Sequence, residues 1–185
     1  MRVVAGELGG RRLNVLEGRD IRPTSDKVRG AVFNALIGLI EIESVFVLDL
    51  FCGTGALGIE ALSRGALHCV FVDQARSSLN LARQNVATLG VEEQSDFILS
   101  DAKKVHFSDV QRFDLVFLDP PYNKDLILPC LDCLGASDAL NDGAVCVLES
   151  EAMFQYKGCQ HFEMIKSKVY GDTLITYLRY RKSVA

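Results

Sequence analysis

The stretch Asp119-Pro120-Pro121-Tyr122 is the least accidental part of this 185-residue sequence. At average composition such a tetrapeptide arises by chance in roughly one chain in a thousand or fewer. The carboxylate of Asp119 and the carbonyl of Pro120 can both accept hydrogen bonds from one planar amine. A nucleobase amine is a poor nucleophile, because its lone pair is delocalised into the ring. Two fixed acceptors draw the nitrogen toward tetrahedral geometry and localise that pair. The prolines keep the acceptors still, which is electrostatic preorganisation. Tyr122 adds a flat face on which an extruded base can stack. The bland alternative is a proline-stiffened turn after a strand.

A second constellation is Gly53-Thr-Gly55-Ala-Leu-Gly58, with Asp73 twenty residues after Gly53. Glycines between a strand and a helix let the backbone approach a ligand at the helix N-terminus. An acid ending the next strand accepts both ribose hydroxyls. By that fingerprint alone a nicotinamide dinucleotide fits. Asp49 argues otherwise, because an acid just before the glycines repels a pyrophosphate and suits a cationic ligand. The amine-directed loop at Asp119 has no role in hydride transfer either.

The remaining reactive residues carry little chemistry. Cys130-Leu-Asp-Cys133 lacks a second ligand pair at zinc spacing, so no metal is expected. His68, His106 and His161 are isolated, and Cys52 reads as packing beside the glycines. Six cysteines without a secretory leader predict reduced thiols in a cytosolic protein. No apolar run approaches the length of about 18 residues that spans a membrane.

Charge is unevenly spread. Residues 1–30 carry a net +3, residues 31–150 a net −10 and residues 151–185 a net +3. An acidic body with basic ends meets a polyanion through its ends. Solvated charges with no partner are the plain alternative.

The elements that must position these residues follow from hydrophobic patterning. Residues 45–50, 68–72, 96–99, 113–118 and 143–148 are near-continuous apolar runs, as parallel strands covered on both faces require. Helical stretches at 56–64, 75–89 (closed by Gly90) and 124–134 alternate with them, which gives an α/β, doubly wound sheet. Residues 161–169 and 173–181 flank a Tyr170-Gly171-Asp172 turn and must pair antiparallel. The sheet therefore has seven strands, mostly parallel, in a single domain over 1–185. Residues 1–16 read as a hairpin around Gly9-Gly10. Thr24 or Ser25 caps a helix in which Val28, Val32, Phe33, Leu36, Ile37 and Ile40 keep helical spacing. The hairpin extension is placed at 1–22 and the catalytic core at 23–185.

The run from Asp49 to Ala66, together with Asp119-Pro-Pro-Tyr122, resembles class I S-adenosylmethionine-dependent methyltransferases that act on exocyclic amines. Arg2-Val-Val-Ala-Gly6, Gly10-Arg-Arg-Leu13, Arg22-Pro-Thr-Ser-Asp-Lys-Val-Arg29 and Val32-Phe-Asn-Ala-Leu36 narrow the resemblance to the RsmD family. These are bacterial enzymes that methylate guanine N2 in 16S ribosomal RNA. The resemblance covers almost the whole chain and is weakest over 124–170. Cys52 stands where the family commonly has Ala, and Gly30 where it usually has an acid.

The resemblance implies a monomeric, Rossmann-like enzyme with S-adenosylmethionine as cofactor and the small ribosomal subunit or its RNA as partner. It places Asp49, Gly53 and Gly55 along the methionine end of the cofactor, Asp73 on the ribose and Gln74 beside the adenine. Asp101 would accept from the adenine amine, with Ala102 nearby. Asp119, Pro120, Pro121 and Tyr122 would form the catalytic loop. Charge and resemblance together nominate Arg2, Arg11, Arg12, Arg22, Lys27 and Arg29 for RNA contact. Three alternatives compete: an amino-methyltransferase acting on another RNA or on DNA, a nicotinamide oxidoreductase, and a non-catalytic RNA-binding module. The DNA reading is weakened because no spare hundred residues exist for a target-recognition domain.

Overall fold

The computed structural model describes residues 1–15, 25–107, 112–122 and 125–182. Its element order is α1 (Asp26–Leu36), β1 (Phe46–Leu50), α2 (Ala56–Ser63), β2 (His68–Asp73), α3 (Arg76–Leu89), β3 (Ser95–Leu99), β4 (Phe113–Leu118), α4 (Ile127–Ala136), β5 (Leu140–Glu151), β6 (Phe162–Tyr170) and β7 (Thr173–Tyr180). The strands form one sheet in the order β3-β2-β1-β4-β5-β7-β6. Strands β1 to β5 pair in parallel, and β7 runs antiparallel to both β5 and β6.

Alternate residues of each central strand feed two cores. Val47, Phe71, Leu115, Phe117, Val145 and Val147 pack against α1, α2 and α3. Leu48, Leu50, Val70, Val72, Val116 and Leu148 pack against α4 on the opposite face. Both faces being covered explains why these strands read as unbroken apolar runs. Gly58 is the contact that lets α2 lie close to β2. A Cβ there would come within 2.4 Å of the Phe71 ring and 2.6 Å of the Cys69 sulfur.

The chain proceeds outward from β1 to β2 and β3, then returns to place β4 on the other side of β1. That reversal opens a crevice between the carboxyl ends of β1 and β4, where open α/β sheets bind ligands. Asp49 lies on β1 and Asp119 directly follows β4, so both chemistry-bearing segments meet at this crevice.

Three expectations need correction. Helix α1 is capped by Ser25, whose hydroxyl accepts the Val28 N–H at 3.2 Å, but it ends at Leu36. Ile37 lies past the last helical residue and is 71% exposed, and Ile40 belongs to the turn that follows. The N-terminal hairpin forms around Gly9-Gly10 but without regular strands: Arg2 lies opposite Arg12, Val3 N–H donates to Arg11 O at 2.9 Å, Leu13 N–H to Met1 O at 3.2 Å and Gly10 N–H to Val3 O at 2.9 Å. Residues 4–8 of its first arm and turn are also drawn onto α2, where Glu60 accepts the N–H groups of Val4 and Ala5 at 2.7 and 3.0 Å. Finally, Arg29 is not a surface residue. Its side chain is 0% exposed, 2.8 Å from Asp26 and 3.7 Å from Glu60, and it donates to the Arg2 carbonyl. Its position on α1, three and four residues before Val32 and Phe33, puts it on the buried face of the helix.

Candidate active site

The loop from Phe51 to Gly55 makes the floor of the crevice. Phe51 adopts φ 60, a left-handed backbone that costs an aromatic residue on the order of 1 kcal/mol or more and is tolerated mainly where function needs it. Gly55 has φ 77 and caps α2 without a side chain. A Cβ at Gly55 would crowd Ala82 and Phe71, so this glycine faces the core more than the ligand space.

Two carboxylates brace the loop. Asp49 Oδ2 accepts the Gly58 N–H at 2.9 Å. Asp73 spans the mouth of the loop, with Oδ2 accepting from Gly53 N–H at 3.1 Å and Oδ1 from Ala75 N–H at 2.8 Å. A carboxylate has about four lone-pair sites, so Asp73 still has room for two ribose hydroxyls. A third brace comes from α3. The Asn85 amide donates to the Thr54 carbonyl at 2.9 Å and the Asn14 carbonyl at 3.1 Å, and accepts the Asn14 N–H at 2.7 Å.

Above this floor lies a cleft of about 400 Å³, whose lining includes Asp49, Gly53, Asp73, Gln74, Asp119, Pro120, Pro121 and Tyr122. The structure thus gathers eight of the residues expected at the site into one cavity. Three expected cofactor residues stand outside its lining. Gly55 turns inward, Ala102 is buried in the α4-side core, and Asp101 follows β3 with Oδ1 taken by the Lys103 N–H at 3.0 Å. The lining also holds Met1, Phe51 and Glu149, which sequence reasoning does not nominate. Glu149 is legible by the rule that picks out the other acids, since it follows an apolar run at the carboxyl edge.

Electrostatics set the ligand's charge. Four carboxylates (Asp49, Asp73, Asp119 and Glu149) line the cleft, and no Lys, Arg or His does among the described residues. Burial pushes the Asp49 carboxyl up to about 8, reinforced by Asp73 and opposed by the Gly58 N–H. Burial also raises Asp119 well above the carboxylate range, with repulsion from Glu149 and Asp49 adding to it. A pyrophosphate would find no basic side chain here to offset its charge, whereas a sulfonium cation and a neutral amine both suit an acidic cleft. The nicotinamide reading fails on this point.

Tyr122 is held by its hydroxyl, 3.1 Å from Thr173 Oγ1 at the start of β7, which leaves the ring as a wall of the cleft. Of the residues nominated for RNA contact, Arg2, Arg11, Arg12 and Lys27 are exposed. Arg22 lies outside the described residues, and Arg29 is buried as described above. No metal-holding group of His, Cys, Asp and Glu occurs among the described residues.

A doubly wound sheet with a glycine loop, an acidic cleft and an Asp-Pro-Pro-Tyr wall defines a class I methyltransferase using S-adenosylmethionine. A family model described as "Conserved hypothetical protein 95" matches residues 1–179. The ribosomal RNA small subunit methyltransferase D of Haemophilus influenzae is 30% identical over 184 residues, covering 98% of this chain and 93% of that protein. Its namesake from Escherichia coli is 33% identical over 151 residues, covering 82% and 75%. The solved structure of yhhF from Escherichia coli superposes with a TM-score of 0.87 at 29% identity, covering 99% of each chain. The chain belongs to the RsmD family.

Proposed function

We propose that the protein transfers a methyl group from S-adenosylmethionine to the exocyclic N2 amine of a guanine in 16S ribosomal RNA. The observation that carries this reading is the shared cleft. The acceptors of Asp119 and Pro120 face the same space as the Asp49 and Asp73 loop, so an amine held by the first meets a methyl donor held by the second. S-adenosylmethionine supplies an activated methyl group on a positively charged sulfur.

The protein's part is positional and electrostatic. Asp73 and Gln74 orient the cofactor along the floor. Asp119 and the Pro120 carbonyl take the two amine hydrogens and aim the nitrogen lone pair, while Tyr122 stacks the base. The amine nitrogen would give its lone pair to the donated methyl group, displacing the neutral thioether, and then release a proton to water. No strong base is required. Residues 1–22 are read as the RNA-contacting extension of the core at 23–185, with Arg2, Arg11, Arg12 and Lys27 meeting phosphates. The enzyme acts as a monomer in the cytoplasm, where the small subunit or an assembly intermediate is its partner.

The test is labelled methyl transfer from S-adenosylmethionine to small-subunit rRNA, with large-subunit rRNA, DNA and protein in parallel, followed by nucleoside mass spectrometry. N2-methylguanosine from the small-subunit RNA is the expected product. Methylated adenine or cytosine would instead support the broader amino-methyltransferase reading, and label in no nucleic acid would overturn both.

A further inference from the structure

Asp119 and Pro120 recognise an amine, and adenine N6, cytosine N4 and guanine N2 are all amines. What differs between them is the neighbouring ring nitrogen. Guanine N2 lies between N3, which carries a lone pair, and N1, which carries a hydrogen, whereas the one ring nitrogen beside adenine N6 or cytosine N4 carries a lone pair. A site for guanine therefore needs one more acceptor next to Asp119, and a site for adenine or cytosine needs a donor.

The residue in that place is Glu149. Leu118 of β4 pairs in register with Leu148 of β5, so the next residues on each strand, Asp119 and Glu149, are neighbours at the carboxyl edge. Glu149 is buried, with the residue only 7% exposed. It lines the cofactor cleft and also a second cleft of about 480 Å³ on the other side of the Pro120–Tyr122 wall. That second cleft is walled by Leu126, Ile127, Pro129, Met153 and Phe154, apolar surfaces suited to the faces of a nucleobase, with Asp125, Ser150 and Glu151 as its further polar lining. Glu149 is thus placed where a base entering from the apolar side presents its amine edge to the cofactor side.

Building on the guanine reading above, we infer that Glu149 is the specificity residue, accepting the ring N1–H of guanine while Asp119 and Pro120 accept the N2 hydrogens. A base with a bare ring nitrogen would set a lone pair against this carboxylate in a site with little water, which is repulsive as well as unbonded. Two adjacent carboxylates that repel each other match the one base edge that offers adjacent N–H donors.

The probe is 2-aminopurine, which keeps the 2-amine of guanine but has no hydrogen on N1. After the methylated position is mapped on rRNA, a synthetic RNA fragment spanning it is made with guanine or 2-aminopurine there. Parent enzyme and E149Q are then compared in single turnover, with folding checked by thermal melting and binding by 2-aminopurine fluorescence. The parent enzyme should prefer guanine by roughly a hundredfold or more. E149Q should lose at least about tenfold on guanine and bring the two bases within about tenfold of each other, because the amide can donate to the bare nitrogen. A parent enzyme that methylates both bases equally overturns the role of Glu149 even if E149Q fails to fold. So does a folded E149Q with the parent's preference. A parent enzyme that makes no N2-methylguanosine on rRNA overturns the underlying function instead, and is detected before any variant is compared.

Discussion

The carboxylate of Asp49 accepts the Gly58 N–H across the first turn of α2, 2.9 Å away, so the acid nearest the glycine loop is tied to the helix that loop begins. Held there in full burial, its carboxyl titrates at about 8. Between the usual carboxylate range and that value the folded protein keeps a proton that the unfolded chain has released. Stability of the cofactor-free protein should therefore fall as pH rises from about 4 to about 8. A cationic ligand favours the ionised form, so cofactor binding should expel a proton and tighten with rising pH over the upper part of that window. Titration calorimetry at neutral pH in two buffers of different ionisation enthalpy reads this directly. Equal heats in both buffers would show that Asp49 does not titrate on binding.

Asp73→Ala should weaken S-adenosylmethionine about ten- to hundredfold. It removes a charged, two-point contact to ribose and also frees the Gly53 N–H that the carboxylate now holds at 3.1 Å. Unchanged affinity by calorimetry would take Asp73 out of the site.

Asp119→Ala should leave a folded, cofactor-binding protein slowed on the order of a hundred- to thousandfold in single-turnover methyl transfer. Asp119→Asn should retain more activity, because its amide oxygen still accepts one hydrogen bond. Tyr122→Phe should be mild, since it gives up the hydrogen bond with Thr173 but keeps the ring, whereas Tyr122→Ala should be severe. Parent-rate transfer by Asp119→Ala would show that this loop is not the reaction centre.

Arg11→Ala with Arg12→Ala should lower rRNA affinity and flatten its salt dependence, by roughly 0.7–0.9 in log–log slope for each phosphate that is no longer neutralised. Cofactor affinity should not change. If neither RNA affinity nor slope moved, the polyanion would have to bind elsewhere.

Arg29→Met should cost about 1–3 kcal/mol of stability, because it removes the donor to the Arg2 carbonyl and one of the two cations beside the buried Glu60 carboxylate. Chemical denaturation measures it. A loss below about 1 kcal/mol would mean that Arg64, 2.8 Å from the same carboxylate, suffices alone.

Local information in the sequence is enough wherever one segment determines its own outcome. Strand β4 runs over Phe113–Leu118 as patterned, Gly90 closes α3 with φ 74, and Ser25 caps α1. The Asp49, Asp73 and Asp119 cleft follows from acids at strand ends. What escapes depends on partners distant in sequence. Arg29 looks like one of seven basic surface groups until it is set against Glu60, 31 residues later. A charged residue on an apolar helical stripe, and an acid inside the otherwise apolar α2, are the available signals. Glu149 is readable by the same rule as Asp119, an acid directly after an apolar run, but its place beside Asp119 depends on the pairing of β4 with β5.

Glu60 has one more consequence. Its two oxygens hold the N–H groups of Val4 and Ala5 together with Arg64 and Arg29, and its helix starts at the glycine loop. The basic N-terminal segment is therefore bolted to the element that locates the cofactor, not hung from it like a tether. Under the proposed function, an RNA backbone gripped at Arg11 and Arg12 would present its bases at a set offset from Asp119, as against a ruler. Which nucleotide reaches the cleft would then depend on the folded shape of the RNA around it, with distance doing the selecting that letter-by-letter readout does elsewhere.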